Sequence, residues 1–299
     1  MSTRPVTPER DILSLAHGLG LAGARPLPLA RNFNQILRLD PYPVVARVSR
    51  VAAPQSQAMA DARREIGVAS HLAREGIPVI TPASIVPSGP YRVGETVVSL
   101  WTFLPPTDRP ALAAPELVRR ATAVQEAMAR YPRRLPRLAA WRFSRAAARR
   151  LTTVPDPDVR RLHAAWETMD ALLERLPLRA LQPAHGDLHP GNLLPGPDDW
   201  HWCDFEDASL MPAFWDLATL VANAFLFDGP ESPLVRAAGA EPRVVRDRDG
   251  FLLALKARAI LAAVVNTWWA SEHQGDRSWA ERQLAALFPA LERLRAKGL

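Results

Sequence analysis

Residues 185–192 read His-Gly-Asp-Leu-His-Pro-Gly-Asn, and residues 200–207 read Trp-His-Trp-Cys-Asp-Phe-Glu-Asp. In the first stretch Asp187 and Asn192 stand five positions apart in a run broken by Gly186, Pro190 and Gly191. Such a run cannot be a regular helix and reads as a loop that exposes its polar side chains. The second stretch reads as a strand over 200–205 ending in the carboxylate of Asp204, with Glu206 and Asp207 behind it.

Phosphoryl transfer asks little of a protein. It needs a carboxylate to orient the acceptor hydroxyl and oxygen ligands for the Mg²⁺ that bridges the nucleotide phosphates. Asp187, Asn192 and Asp204 supply that set in that order, and Asp-x-x-x-x-Asn followed by Asp-Phe is the protein-kinase catalytic spacing. HGDLHPGNLL together with WCDFEDASLMPAFWDLA resembles the paired signatures of the aminoglycoside phosphotransferase and choline kinase-like family. The resemblance implies an α+β, two-lobed, protein-kinase-like fold. Its N-terminal nucleotide-binding lobe would span 1–103, and its C-terminal catalytic and substrate-binding helical lobe 104–299. It makes Asp187 the base or hydroxyl-positioning group, gives Asn192 and Asp204 to Mg²⁺, and has Asp216 brace the catalytic loop from the following helix. The implied substrates are ATP, with GTP as the alternative donor, and a small-molecule hydroxyl acceptor.

Family members carry a lysine or arginine on the third strand, paired with a helix glutamate. The only lysines here are Lys256 and Lys297, so Arg47 in VVARVSR takes that place, with Glu65 as its partner. Arginine offers a planar fork to phosphate and does not simply replace lysine. The turn expected to cover the phosphates, Ala30 to Gln35, contains no glycine, which excludes a Walker loop; Asn34 is its candidate contact. By alignment to the interlobe linker, Thr102 and Leu104 are expected at the adenine edge and Trp101 behind it.

The surrounding patterning agrees. A short helix over 8–19 precedes FNQILRLD and PVVARVSR, which alternate as a hairpin around Asp40-Pro41-Tyr42-Pro43. A helical period runs from Gln55 to Arg74, ended by Gly76 and Pro78, and further strands are expected at 83–86 and 91–103. After Leu104-Pro105-Pro106 the chain turns to helical periods at about 115–131, 137–151, 157–176, 212–227, 247–271 and 277–296.

The 299 residues are 48% hydrophobic and 23% charged, enough to bury a core. No apolar stretch reads as long enough to cross a bilayer, and MSTRPVTPERD has no signal-like core, so a cytoplasmic protein without a membrane partner is expected. The net charge of +6 raises nucleic acid as a partner. The arginines concentrate on helix-reading segments between Arg109 and Arg179 without a nucleic-acid motif, so they read as solvated faces. Oligomeric state is not legible.

Other readings of the same residues are weaker. His185, Asp187, His189, His201, Cys203 and Asp204 are metal-ligand types, but strand alternation would send His201 and Cys203 to one face and Asp204 to the other. His185 reads as a structural residue at the loop base; His189 stands between touching substrate and stiffening the loop. Cys203 reads as a small buried residue, and Trp268, Trp269, Trp141, Trp166 and Phe225 as core or lobe-packing aromatics, with an acceptor-pocket lining as the alternative for some of them. The competing class is a non-catalytic relative that binds nucleotide or a partner, supported by the missing lysine and the glycine-free turn. No A-P-E-like segment follows Asp204, which argues against a protein acceptor.

Overall fold

The computed structural model describes residues 9–31, 34–49, 54–273 and 275–296. The chain opens with α1 (Glu9–Gly18), β1 (Arg25–Arg31), β2 (Asn34–Asp40), β3 (Val44–Ser49), α2 (Gln55–Arg74), β4 (Tyr91–Val93) and β5 (Thr96–Thr102). Helices follow: α3 (Ala114–Ala129), α4 (Ala139–Arg142), α5 (Ser144–Leu151) and α6 (Pro157–Arg175). Short strands come next: β6 (Leu181–Ala184), β7 (Leu193–Pro195), β8 (Trp200–Trp202) and β9 (Ser209–Pro212). The chain closes with α7 (Trp215–Asp228), α8 (Pro233–Gly239), α9 (Pro242–Arg246), α10 (Arg248–Ser271) and α11 (Arg277–Ala296). Two compact units account for these elements, Met1–Pro110 with Gly191–Glu206, and Ala111–Pro190 with Asp207–Leu299.

The first unit is an antiparallel sheet in the order β1-β2-β3-β5-β4. Alternation sends Leu37, Leu39, Val44, Ala46 and Val48 into a core shared with Ile12 and Ala16 of α1. It therefore turns Arg47 to the opposite face, where α2 packs on β5 and brings in Glu65. Ala83–Val86 does not form the expected strand. Pro82 and Pro87 flank it without N–H donors, and its contact with the sheet is reduced to an isolated bridge, Pro82 to Trp101, and one bond from the Ala83 N–H to the Leu100 carbonyl at 3.0 Å. The segment from Gly191 belongs to this unit. Its β7–β8 hairpin is fastened by Trp202, which is buried, donates its N–H to the Pro78 carbonyl at 3.0 Å and accepts from Ile80 at 2.8 Å. The boundary expected after residue 103 is thus seven residues short of the end of this unit's first segment, and the hairpin stands apart from the other residues beyond it.

The second unit is mainly helical, with β6 and β9 paired antiparallel. The expected helix over 137–151 divides at Phe143 into α4 and α5. Trp141 stacks on Trp166 at 6.0 Å between ring centres, and their indole N–H groups donate to Asp170 and Ser144 at 2.8 Å each. Asp156 starts α6 by accepting from the N–H groups of Asp158 and Val159, with Pro157 at the first helical position. α8 and α9, absent from the sequence reading, are pieces of 7 and 5 residues, too short to show a period. α10 meets the length and hydropathy of a membrane-crossing helix, contrary to the expectation from its charges. More than half of its most apolar window is buried within this unit, against α5, α6, α7 and α11.

Candidate active site

In the first unit a single cation holds three carboxylates. Arg47 donates from Nη1 to Glu65 at 2.7 Å, and its Nη2 meets Asp204 at 2.7 Å and Glu206 at 2.8 Å. Burial works against the Arg47 charge, but Glu206, Glu65 and Asp204 outweigh it and hold the guanidinium well above its ordinary range. Burial pushes the Glu65 carboxyl up to about 8, with Arg47 pulling the other way and Asp204 and Glu206 adding to the rise. Arg64 adds a weaker pull on Glu65 but is itself paired with Asp61, so the cluster keeps an excess of carboxylates.

Asp204 is part exposed and leaves strand geometry altogether. The expected strand over 200–205 stops at Trp202, and Asp204 sits at φ 68°, a left-handed conformation that Asp tolerates better than most residues. The alternation assumed for Cys203 and Asp204 therefore does not apply. Cys203 is half-buried, its thiol pushed up to about 12 by burial and by Asp204. Its N–H donates at 2.9 Å to the carbonyl of Asn192, a buried residue, which ties the backbone of one candidate metal ligand beside the other. Among the described residues no group of three His, Cys, Asp or Glu is placed to hold a metal alone. One carboxylate, one amide oxygen and a carboxylate surplus nevertheless suit Mg²⁺, which prefers hard oxygen donors and keeps much of its shell for phosphate and water.

Asn34 is buried and donates from Nδ2 to Glu206 at 3.2 Å, while its Oδ1 has no hydrogen-bond partner among the described residues. The rest of its turn, Asn32 and Phe33, lies outside the described residues. Glu206 also accepts at its backbone carbonyl from Arg64 at 2.6 Å. The sequence reading did not select Glu206 as a site residue, although its place two residues after Asp204 was the available signal. At the end of β5, Trp101 is buried with its indole N–H on Ser99 at 2.8 Å. The N–H groups of Thr102 and Phe103 are taken by Thr81 and Pro43 at 2.9 Å each. Leu104 has the first N–H after β5 without an intramolecular partner among the described residues.

In the second unit the arrangement is reversed, with a guanidinium and an imidazole around one carboxylate. Asp187 Oδ1 accepts from Arg258 Nη2 of α10 at 2.5 Å, and Oδ2 lies 3.4 Å from His189 Nε2. Burial would raise the Asp187 carboxyl, but Arg258 and His189 override it and hold it well below the usual carboxylate range. Arg258 was not foreseen, since nothing local in sequence links it to residue 187.

The backbone before Asp187 is fixed from α7. Asp216 accepts from the N–H groups of His185 at 2.8 Å and Gly186 at 3.0 Å, and Trp215 donates its indole N–H to the Gly186 carbonyl at 2.8 Å. Burial pushes Asp216 up to about 6 against those two backbone bonds. His185 is fully buried. Gly186 sits at φ 95°, and a Cβ there would collide with the Asp207 carbonyl, so both conformation and space demand glycine.

The sequence pattern of the phosphotransferase enzyme family, APH, matches residues 23–250. No curated protein matches the chain. Among solved structures, amicoumacin kinase hAmiN in complex with AMP-PNP, Ca²⁺ and Ami is 14% identical with a TM-score of 0.65, covering 93% of this chain and 91% of its own. A choline/ethanolamine kinase family protein from Mesorhizobium loti is 17% identical with a TM-score of 0.63, covering 96% and 95%. The GDP complex of aminoglycoside 2'-phosphotransferase-IIIa is 13% identical with a TM-score of 0.61, covering 94% and 98%. The kinase-like α+β fold class expected from the paired signatures is the one observed, a small antiparallel sheet followed by a mostly helical remainder.

Proposed function

The chain belongs to the phosphotransferase enzyme family, and from that premise we propose that it transfers the γ-phosphoryl group of a nucleoside triphosphate to a hydroxyl of a small molecule. The observation that carries this reading is Asp187, a carboxylate held ionised by Arg258 and His189 in a loop whose backbone Asp216 fixes. A base must be ionised to work and must not wander.

In the reaction the acceptor oxygen bonds to the γ-phosphorus as the bond to the β,γ-bridging oxygen breaks. Asp187 takes up the hydroxyl proton, and the nucleoside diphosphate leaves. Asn192 and Asp204 would hold Mg²⁺, which when bound neutralises phosphate charge. Arg47 is already engaged by carboxylates, so a direct phosphate contact needs Asp204 or Glu206 to release part of its fork. The free N–H of Leu104 suits an adenine ring edge, with the carbonyl of Thr102 as its companion acceptor. ATP is the default donor, in line with AMP-PNP in the amicoumacin kinase structure, and GTP is the alternative, in line with GDP in the aminoglycoside phosphotransferase structure.

Thermal stabilisation by ATP and GTP, with and without Mg²⁺, tests the nucleotide half of this reading in wild type and Asp204→Ala. The expected result is a Mg²⁺-dependent shift in wild type that the variant loses. No shift at saturating nucleotide would instead favour a non-catalytic relative.

A further inference from the structure

α10 changes character at Arg258. On the arc that carries this residue, Phe251, Ala254 and Leu255 are buried in the helical core. Ala262, Val265 and Trp269, at four, seven and eleven residues beyond Arg258, are only half-buried. The helix thus sets a cation at the inner end of a half-open apolar strip that ends in an indole. At 1.5 Å per residue that strip is roughly 16 Å long.

The cation at its inner end is under-used. Arg258 is 14% exposed at the side chain, and among the described residues its one hydrogen bond is from Nη2 to Asp187; its Nε is buried without a partner. A guanidinium carries five N–H donors in a fork that matches a carboxylate, and buried donors without acceptors are unfavourable. The strip itself offers no acid to a cationic ligand. Several carboxylates of this unit are committed elsewhere, Asp170 and Glu174 to Arg142 and Arg145, and Asp216 to backbone N–H groups.

Resting on the reading of Asp187 as the group that receives the acceptor's proton, we infer that Arg258 is a specificity-determining residue that reads an anionic oxygen group beside the accepting hydroxyl. The acceptor is a hydroxy acid whose apolar body lies along Ala262, Val265 and Trp269, not a polycation. The guanidinium would pair with the acceptor's carboxylate through donors that Asp187 does not use.

The test uses 3-phenyllactate, 3-phenyllactamide and phenylalaninol, which share a hydroxyl and a phenyl ring and carry an anionic, a neutral and a cationic group. Binding is followed by calorimetry with Mg-ADP present, and turnover by ADP release from Mg-ATP. Wild type should bind the acid about tenfold more tightly than the amide, the scale of one charge-assisted hydrogen bond, and the amine least. Arg258→Lys should keep that order. Arg258→Gln should lower kcat for every acceptor, because Asp187 loses its counter-charge, and should bring the ratio of acid to amide dissociation constants to about one. Trp269→Ala, which leaves the Asp187 pair intact, should weaken all three probes alike without changing their order.

Equal or absent binding of the three by wild type, a preference for the amine, or an Arg258→Gln variant that still binds the acid more tightly than the amide would overturn the inference. A Mg-ATP thermal shift on the same samples separates the two levels. With the shift present and no charge preference, only the role of Arg258 falls. With neither a shift nor ADP release from any acceptor, the phosphotransferase reading falls as well.

Discussion

Asp187 and Asp204 lie close in sequence, yet their surroundings treat them in opposite ways. Asp187 has two nitrogen-bearing partners to itself, Arg258 and His189, and stays ionised below the usual range. Asp204 shares a guanidinium with Glu65 and Glu206, and burial, with Asp204 and Glu206 adding to it, pushes Glu65 up to about 8. A carboxylate that must receive a proton is useful only when its charge is secured beforehand. A group of carboxylates that must attract a divalent cation is useful only when left short of positive charge. The sharpest way to break this contrast is to neutralise each carboxylate in turn. Asp187→Asn keeps the hydrogen bond from Arg258 and loses the base, so kcat should fall by about 10²- to 10⁴-fold while Mg-nucleotide stabilisation persists. If the variant turned over near the wild-type rate, Asp187 would not be the base.

Removing the cation from the first unit should be nearly as damaging, but to the fold. Arg47→Ala leaves Glu65, which is 2% exposed, among other carboxylates without its ion-pair partner. Losing one partner of a buried ion pair costs about 3–5 kcal/mol, and here the group left behind is in surplus. Urea unfolding without nucleotide would show it. Arg47→Ala combined with Glu65→Gln should recover part of the loss, because the orphaned charge is gone. An additive double variant would mean that the pair is not coupled.

The same surplus gives a pH dependence with a definite sign. Glu65 holds its proton more tightly folded, at about 8, than at its ordinary value of 4.5. Its contribution is therefore fully present below the unfolded value and is lost as pH rises through the folded one. Without nucleotide, thermal stability should decline between about pH 4.5 and 8, with Asp216 contributing below about 6, and Glu65→Gln should flatten the upper part of that decline. Mg-nucleotide should flatten it too, by supplying the missing cation. A wild-type curve that rises over this window would refute the assignment of a carboxylate surplus.

Much of this was legible because it is local. The alternation of VVARVS puts Arg47 off the core face, and the helical period after Gln55 points to Glu65, so their pairing follows from two short stretches. The HGDLHPGN loop could be read for the same reason. What was missed depends on the fold. Arg258 is one of many arginines interleaved with acids in the C-terminal third, and only the packing of α10 selects it as the partner of Asp187. Asp204 was expected in a strand because its aromatic neighbours favour one; its left-handed backbone is imposed by the turn after β8. α8 and α9 are too short to leave a period, and β6, β7 and β9 are three- or four-residue pieces with prolines in them.

The two regions also differ in how the backbone aims the carboxylate, and this yields the smallest effect. In the first unit Asp204 itself adopts the left-handed conformation, which Asp tolerates. In the second the turn is taken one residue earlier, by Gly186 at φ 95°, with both backbone polar groups fixed by Asp216 and Trp215. Gly186→Ala meets strain from its dihedral and a collision with the Asp207 carbonyl, so a loss of about 1–3 kcal/mol is expected even if the loop yields. Should the loop shift to make room, Asp187 moves with it, and activity should then fall more than stability does. Trp215→Phe removes only the indole hydrogen bond and should cost about 1 kcal/mol with a smaller loss of kcat. Equal tolerance of both changes would mean that the loop is held by something other than α7.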